Sequence, residues 1–442
     1  MNGKKPHLLY VAFGFPPASK SCTYRMLATA NHFAANGWKV TVFNQPDETW
    51  LMDSGLDQSL LDMVDENITQ IQLNVSRDEL ATDIRTFSEL RAKSPSEWLE
   101  KFLETTEVDF PERRYGHWSD EIRRATAELH SKNPVDLVIA SVQPYVQLVA
   151  NEYLDTLGVP SVIDFRDAWS LNPISGEINF PTTSRAGQFE EKLITSALEI
   201  WVVNDRIARF YRERFPNQES KIRVIRNGFD PESIPSAIRK KENKDFLNFG
   251  YIGVLGVELS HLEKILEGWT IARTRQDFKS ARLTFRGHIG AGYQRMNNPR
   301  LHLINSHLDQ GVEYLGPIPR SQVLSQYMEW DALLFAVQGG SFVTSAKIYE
   351  YLATGLPIVS SHTPDHGALE VSKAYPRNFV AESFKPIDIA EAFWAAADDT
   401  KKTVAEENEL REYARSAISE FARDKIVSKV VSDLIARVEN LG

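Results

Sequence analysis

Short apolar runs of strand length alternate with helical stretches along this chain. Residues 8–13 form the first such run, residues 14–21 are rich in Gly, Pro and Ser, and a helical stretch follows. Asn36 and Gly37 end that helix, and residues 38–43 form a second apolar run. A continuous apolar run is typical of a parallel strand covered on both faces, so this stretch predicts a β-α-β unit.

The same alternation continues in both halves of the chain. Further strands are predicted at 136–140, 161–165, 199–203, 221–225, 246–253, 283–287, 312–316 and 331–336. Strands that alternate with helices predict an α/β fold with parallel sheets. Residues from about 50 to 131 interrupt the pattern with charged helical stretches, and we expect a helical insertion there.

The length predicts two domains, because 442 residues exceed one typical hydrophobic core. We place the first domain at residues 1–235 and the second at 236–415. A polar linker is expected at 239–245, and the C-terminal segment 416–442 has a helical pattern.

Composition argues against a nucleic-acid partner and favours a reducing compartment. Acidic residues outnumber basic residues by 60 to 50, which argues against a nucleic-acid binder that neutralises phosphates. The single cysteine, Cys22, excludes an intramolecular disulfide framework, so a reducing cytoplasm is the expected compartment. We expect no signal peptide and no membrane span, which needs ~20 apolar residues. Any membrane contact is therefore expected to be peripheral, at the inner membrane face.

Residues 345–361 are the stretch that most directly suggests a ligand. Ser345 is a candidate N-cap, a helical run follows, and Gly355 ends it before an apolar strand. Lys347 and Glu350 lie on one helix face, where they form either a surface ion pair or a ligand site. A lysine at a helix N-terminus suits a phosphate, and a carboxylate one turn further suits the two hydroxyls of a ribose. A nucleoside diphosphate is the candidate ligand.

The run K-x-Y-E-Y-L-A-T-G-L-P, which begins at Lys347, resembles the nucleotide-sugar motif of the retaining GT-B glycosyltransferases. The resemblance implies two Rossmann-like domains that face each other across a cleft, with the C-terminal helix crossing back to the first domain. It also implies that Glu350 holds the ribose of the donor. The alternative is an ordinary amphipathic helix before a strand.

The N-terminal half is similar to the same family. The residues that match its P-P…R…G pattern are Pro16, Pro17, Arg25 and Gly37, whereas Ser-Lys-Ser at 19–21 replaces its paired glycines. The resemblance assigns Arg25 to the acceptor. The insertion is where this family recognises acceptors, which makes Trp118 a second acceptor candidate. The alternative for the insertion is a helical cover with core tryptophans.

Charged residues directly follow the predicted strand 161–165. Such positions in open α/β sheets lie where ligands bind. The run D-F-R-D-x-W resembles a signature of a subgroup of these transferases, with Arg166 where relatives carry a histidine near the donor sugar. We therefore name Arg166 and Asp167 as catalytic candidates. Asp167 either orients the acceptor hydroxyl or pairs with Arg166.

Two positions depart from the family pattern. The basic pair that holds the donor diphosphate is absent from the turn at residues 253–256, and Phe342 stands where many relatives carry a glutamate. The remaining cationic candidates for the diphosphate are Lys347 and Arg286. Arg286 ends a predicted strand, so it either faces the cleft or solubilises a sheet edge, and we count it among the catalytic candidates.

Backbone groups complete the expected donor site. The resemblance places the turn at Gly253 and the helix start at Ser345 near the diphosphate, and the loop around Ile318 near the nucleobase. The amides of Gly339 and Gly340 are the expected donors to the sugar hydroxyls.

The expected function is a metal-independent, retaining transfer of a sugar from a nucleoside diphosphate, UDP or GDP, to an acceptor hydroxyl. No D-x-D motif is present, and no cofactor is expected. The acceptor would be a glycan, a lipid-linked glycan or a small molecule, in glycan, polysaccharide or glycoconjugate biosynthesis. The alternatives are a sugar-nucleotide epimerase or phosphorylase of the same architecture, and a catalytically silent homologue that binds a nucleotide.

Overall fold

Two parallel sheets form the framework of the protein. The computed structural model describes residues 5–53, 55–233, 246–289, 298–337, 339–402 and 404–440. The chain divides into a first unit, Met1–Asn172, Glu177–Arg226 and Val427–Gly442, and a second unit, Pro173–Gly176 and Asn227–Ile426.

The first unit contains the strands β1 (His7–Val11), β2 (Lys39–Asn44), β3 (Ile68–Gln72), β4 (Leu137–Val142), β5 (Ser161–Phe165), β6 (Glu199–Val202) and β7 (Ile222–Val224). Its helices are α1 (Thr23–Ala35), α2 (Asp47–Met52), α3 (Glu89–Lys93), α4 (Pro95–Thr106), α5 (Ser119–Lys132), α6 (Leu148–Asp155), α7 (Arg185–Ser196) and α8 (Asp205–Arg214). The strand order is β3-β2-β1-β4-β5-β6-β7, and neighbouring strands are parallel.

The central strands of this sheet are buried along their whole length. All residues of β1, β4 and β5 are buried, which is why these strands read as continuous apolar runs rather than as alternating patterns. The edge strand β3 was not predicted, and it lies within residues 50–131, where a helical insertion was expected. Its sequence Ile-Thr-Gln-Ile-Gln is largely exposed, so it lacks the apolar run that marks the central strands.

The second unit contains the strands β8 (Asn248–Ile252), β9 (Arg282–Arg286), β10 (Val312–Tyr314), β11 (Ala332–Ala336), β12 (Ile358–Ser361) and β13 (Asn378–Val380). Its helices are α9 (Leu259–Ala272), α10 (Pro299–Asn305), α11 (Arg320–Glu329), α12 (Ala346–Thr354), α13 (Leu369–Ser372), α14 (Pro386–Asp399), α15 (Val404–Ile418) and the start of α16 (Arg423–Glu439). The strand order is β10-β9-β8-β11-β12-β13, again parallel.

The two faces of the second sheet carry separate apolar clusters. Leu334 points into a cluster with Trp269 of α9 and Phe393 of α14, whereas its neighbour Leu333 points into a cluster with Leu352 of α12. Successive residues of a strand face opposite sides of the sheet, so β11 contributes to both clusters. The covered faces explain why this strand is continuously apolar.

The cap, helix, stop and strand predicted at 345–361 are present as α12 and β12. Ser345 occupies the N-cap position with an extended backbone, but its side chain makes no capping hydrogen bond. Gly355 ends the helix at φ +73°, a left-handed conformation that favours glycine.

Apart from the short segment Pro173–Gly176, the chain passes from the first unit to the second near Arg226 and returns inside α16, at Val427. The predicted boundary at 235/236 and the linker at 239–245 lie outside the described residues. The predicted terminal segment 416–442 contains the end of α15 before α16 begins. From Val427, α16 belongs to the first unit, where Arg437 contacts Glu199 at 2.5 Å. In the described part of the chain, no helix is long and apolar enough to cross a membrane.

Gly250 in β8 offers a test of the packing in the second unit. A Cβ atom at this position would lie 1.9 Å from Cδ2 of the buried Trp330. We expect Gly250→Ala to lower the free energy of unfolding by about 3 kcal/mol because the ring has to move. Denaturant titration followed by tryptophan fluorescence measures this loss.

Gly256→Ala is the matched control, since a Cβ there has no atom within 4 Å. We expect it to change the free energy of unfolding by less than about 0.5 kcal/mol. Equal losses in the two variants would contradict the described packing of β8 against Trp330.

Candidate functional site

The strand order of the second sheet reverses between β8 and β11. From β8 the chain adds β9 and β10 on one side, and from β11 it adds β12 and β13 on the other. The loops that leave the carboxyl ends of two such strands diverge, and ligands of α/β proteins bind there. Gly253 directly follows β8, and the segment after β11 leads into α12.

Lys347 lies in the first turn of α12 and reaches back to β8. Its Nζ donates to the hydroxyl of Tyr251, lies 3.9 Å from the centre of that ring, and is 3.4 Å from the carbonyl oxygen of Val254. Burial lowers the pKa of Lys347 to about 7, and the charge of Glu350 offsets part of this effect. Burial therefore disfavours the charged form of this lysine in the free protein, and a bound anion would favour it.

Glycine at position 253 makes room for this lysine. A Cβ atom on Gly253, which has φ +116°, would lie 2.8 Å from Cε of Lys347. A Cβ on Gly287, at φ +105°, would lie 2.3 Å from the carbonyl oxygen of Gly253. The backbones after β8 and β9 thus approach each other and Lys347 at distances that only glycine permits.

Glu350 lies one turn further along α12 and accepts two hydrogen bonds. Arg320 Nη1 donates to Oε1 at 2.9 Å, and the hydroxyl of Tyr327 donates to Oε2 at 3.2 Å. Burial, followed by the charge of Glu350, raises the pKa of Tyr327 above its ordinary value, so this hydroxyl keeps its proton. Of the two alternatives for Lys347 and Glu350, the simple surface ion pair does not describe them, because each side chain has partners on other elements.

The segment before α12 brings backbone groups to the same edge. Gly339 has φ +123°, and a Cβ on Gly340 would lie 2.7 Å from the carbonyl oxygen of Ile174. The carbonyl oxygen of Gly339 accepts from the hydroxyl of Thr363 at 3.2 Å. The side chain of Ser345, the N-cap residue of α12, makes no capping hydrogen bond. The segment before α12 is therefore closely packed, and it ends at a helix N-terminus that this serine does not cap.

Arg286 and Ile318 belong to the neighbouring loop. Arg286 donates to the carbonyl oxygen of Leu315 at 2.7 Å and to Oε1 of Gln326 at 3.1 Å. Ile318 packs at the margin of the cluster under α12. Arg286 therefore braces the loop that leads to α11, and its catalytic role stays a prediction.

In the first unit, Arg166 and Asp167 follow β5 as predicted. Arg166 Nη2 donates to the carbonyl oxygen of Gln143 at 2.8 Å. Burial raises the pKa of Asp167, and the positive charge of Arg166 opposes that rise. The hydroxyl of Tyr145 donates to the carbonyl oxygen of Ala168 at 3.1 Å and holds the backbone beside the carboxylate.

Two predicted acceptor residues have structural roles instead. Arg25 is 1% exposed, forms an ion pair with Asp164 and donates to the carbonyl oxygen of Ile225 at 2.5 Å. Trp118 is 2% exposed and donates from Nε1 to the carbonyl oxygen of Ser76 at 3.0 Å. Both side chains are enclosed by the first unit, so we correct their assignment: Arg25 holds strand ends together, and Trp118 is a core tryptophan.

Three residues of the candidate site were not predicted: Tyr251, Arg320 and Tyr327. The tyrosines gave no signal because their sequence positions are typical of a strand and an amphipathic helix. Arg320 carried a signal, since a cation at the first position of a helix opposes the helix dipole and needs another partner. Within the described ranges, no group of three or more His, Cys, Asp or Glu side chains has an arrangement that could hold a metal ion.

Comparisons with known proteins establish the fold. No family model and no curated protein sequence matches the chain. A glycosyltransferase from Rickettsia africae superimposes with a TM-score of 0.64 at 13% identity, covering 99% of both chains. The Anabaena protein HepE, solved with UDP and glucose, gives a TM-score of 0.59 at 14% identity over 98% of this chain and 100% of that one.

A structure described as a putative epimerase also superimposes on this chain. A putative UDP-N-acetylglucosamine 2-epimerase from Listeria monocytogenes gives a TM-score of 0.58 at 9% identity and covers 99% of this chain and 98% of its own. Two parallel sheets and full-length coverage confirm the predicted α/β class and the GT-B fold. At these identities the likeness defines the fold, and the reaction has to be argued from the site.

The environment of Lys347 predicts an unusual titration. In protein labelled with ¹³C at lysine Cε, we expect one lysine signal to titrate with a midpoint near pH 7, because burial disfavours the ammonium form. Lys347→Met should remove that signal. Adding pyrophosphate should move the midpoint upward, since an anion favours the charged lysine.

Lys264→Met is the control, because Lys264 pairs with Glu267 on the exposed side of α9. It should leave the signal that titrates near pH 7 in place. If the signal of Lys347 titrated near pH 10, the described burial of its ammonium group would be wrong.

Proposed function

We propose that the protein is a glycosyltransferase whose second unit binds a nucleoside diphosphate sugar. The observation that carries this proposal is the placement of Lys347 and Glu350 on one face of α12. Lys347 lies beside the glycine turn after β8, and Glu350 lies in a hydrogen-bonded polar cluster with Arg320 and Tyr327. A cation and a carboxylate one helical turn apart suit a diphosphate and the ribose attached to it.

Each part of the donor has a proposed partner in this unit. The diphosphate binds Lys347 Nζ and the N-terminus of α12 at Ser345, where the side chain leaves the first amides uncapped. The ribose hydroxyls bind Glu350, and the nucleobase stacks beside the loop at Ile318. The amides of Gly339 and Gly340 hold the hydroxyls of the sugar.

The proposed reaction proceeds with retention of configuration. The bond between the anomeric carbon and the diphosphate oxygen breaks, and a bond from the acceptor oxygen to that carbon forms on the same face. The departing diphosphate takes the proton of the acceptor hydroxyl. Lys347 stabilises the negative charge that develops on the leaving diphosphate in the transition state.

We also propose roles for Asp167 and Arg166, which belong to the first unit. Asp167 is the residue proposed to orient the acceptor molecule, and the positive charge of Arg166 favours the ionised form of its carboxylate. A glycan, a lipid-linked glycan or a small polyol presents the hydroxyl that this pair requires. UDP is the first nucleotide to test, because HepE of the same fold holds UDP and glucose.

A sugar-nucleotide epimerase is the second candidate, because a protein described as a putative UDP-N-acetylglucosamine 2-epimerase has the same fold over its full length. The products distinguish the two reactions. A transferase consumes the acceptor and releases a nucleoside diphosphate, whereas an epimerase converts the donor sugar into its isomer without an acceptor. A chain that binds nucleotides and does neither would be a silent homologue.

Nucleotide binding tests the proposal first. We expect saturating UDP, GDP or ADP to raise the melting temperature by roughly 5–10 °C, because a ligand at 100 times its dissociation constant adds ~2.7 kcal/mol. Glu350→Ala should weaken binding of the preferred nucleotide by about 10- to 100-fold through loss of charge-assisted hydrogen bonds. Calorimetry and thermal unfolding measure both quantities.

Glu391→Ala is the matched control, since Glu391 is exposed on α14, which packs on the opposite face of the sheet. It should bind nucleotide as the parent does. If Glu350→Ala bound the nucleotide as tightly as Glu391→Ala, the ribose assignment would fail.

A further inference from the structure

Four charged residues of the second unit form a continuous row of alternating sign. We call Glu350, Arg320, Asp230 and Arg423, in that order, the charge row. Arg320 Nη1 donates to Glu350 at 2.9 Å, Arg320 Nη2 donates to Asp230 at 3.1 Å, and Arg423 Nε donates to Asp230 at 2.5 Å. Each carboxylate in the row therefore has at least one guanidinium partner.

The row is largely removed from solvent. The exposed fractions of the four side chains, in the order of the row, are 15%, 8%, 11% and 3%. Charges in such an environment depend on their partners, because the solvent that would otherwise compensate them is mostly excluded. A change at one member is therefore felt by its neighbours in the row.

Arg320 is the member that links the two carboxylates. Its two terminal nitrogens are divided between them, one to Glu350 and one to Asp230. A planar guanidinium can donate in two fixed directions at once, whereas a lysine offers a single ammonium group. As the first residue of α11, Arg320 also opposes the helix dipole, so these two ion pairs have to hold it in place.

The two bonds to Glu350 leave acceptor capacity on the carboxylate. Arg320 occupies one site on Oε1 and Tyr327 occupies one on Oε2. An ionised carboxylate has about four acceptor positions, so each oxygen retains one. Two remaining positions on one fixed carboxylate match the two adjacent hydroxyls of a ribose.

Asp230 in turn is held by the backbone around it. Phe229 N donates to the carbonyl oxygen of Phe421 at 3.1 Å, and Arg423 N donates to the carbonyl oxygen of Phe229 at 2.7 Å. Arg423 also donates to the carbonyl oxygens of Asn227 and Gly228. Asp230 is thus a fixed anchor for the second nitrogen of Arg320.

We propose that Arg320 is a positioning residue that orients the Glu350 carboxylate toward the adjacent 2′ and 3′ hydroxyls of a bound nucleotide, with Asp230 as its anchor. This inference rests on the proposed nucleotide site. Arg320 is proposed to contact neither the phosphates nor the sugar. Its effect on ligand binding is confined to recognition of the ribose, which separates it from a residue that only stabilises the fold.

The test compares each preferred nucleoside diphosphate with its 2′,3′-dideoxy counterpart by calorimetry. The parent should bind the ribonucleotide about 10- to 100-fold more tightly, because Glu350 contacts both hydroxyls. In Arg320→Met, this preference should fall to less than about 3-fold, while the affinity for the dideoxy nucleotide stays within about 3-fold of the parent. Arg320→Lys and Asp230→Asn should give intermediate preferences and keep the test informative if Arg320→Met folds poorly.

Arg282→Met is the control, because Arg282 is an exposed residue at the start of β9, whereas the candidate site lies beyond the carboxyl ends of the strands. This variant should keep the parental preference for the ribonucleotide. If Arg320→Met preferred the ribonucleotide over the dideoxy nucleotide as strongly as the parent does, the inference would be overturned, even if the affinities for both nucleotides fell together. The proposed nucleotide site would remain intact. A parent that binds both nucleotides equally would instead remove the ribose assignment of Glu350, and the inference with it.

Discussion

The ion pair between Arg320 and Glu350 is the interaction on which the candidate site depends. The neighbours of Glu350 on α12, Tyr349 and Tyr351, are almost fully buried in the cluster beneath the helix. A carboxylate between them is tolerated because Arg320 and Tyr327 satisfy it. The pair thereby fixes a charged group at the margin of an apolar core, where it can recognise a ligand through the oxygen positions that remain.

Glycine backbones provide the other half of the site. Gly253 and Gly287 allow the chain after β8 and the chain after β9 to lie close together, and the stem of Lys347 lies over the first of these turns. Because the strand order reverses between β8 and β11, these turns lie at the edge where α/β proteins bind ligands. The cation of the site is therefore placed by backbone geometry, and its carboxylate is placed by ion pairs.

Much of the fold follows from the sequence. Strands buried on both faces, such as β1 and β11, leave continuous apolar runs, and α12 has a serine before it and a glycine after it. The strand β3 left no such run because it lies at a sheet edge with mostly exposed side chains. Local sequence patterns therefore predicted the central strands. They did not predict β3, which is a strand only because it pairs with β2 at the edge of the sheet.

The candidate site was predictable only in part, for a related reason. Lys347 and Glu350 are visible as a pair because helical spacing places them on one face. Their partners Tyr251 and Arg320 are distant in sequence, and no local pattern reports such a contact. The error at Arg25 has the same origin, since its ion pair with Asp164 joins residues on α1 and β5. The match of Arg25 to the family pattern did not show that its side chain is buried in the first unit.

Hydrogen exchange in the presence and absence of a nucleoside diphosphate tests whether the nucleotide binds at the proposed residues of the second unit. We expect the preferred nucleotide among UDP, GDP and ADP to slow exchange at residues 253–258, after β8, and at 339–348, which lead into α12. Saturating nucleotide that left both segments unchanged while slowing exchange elsewhere in the chain would contradict the proposed site.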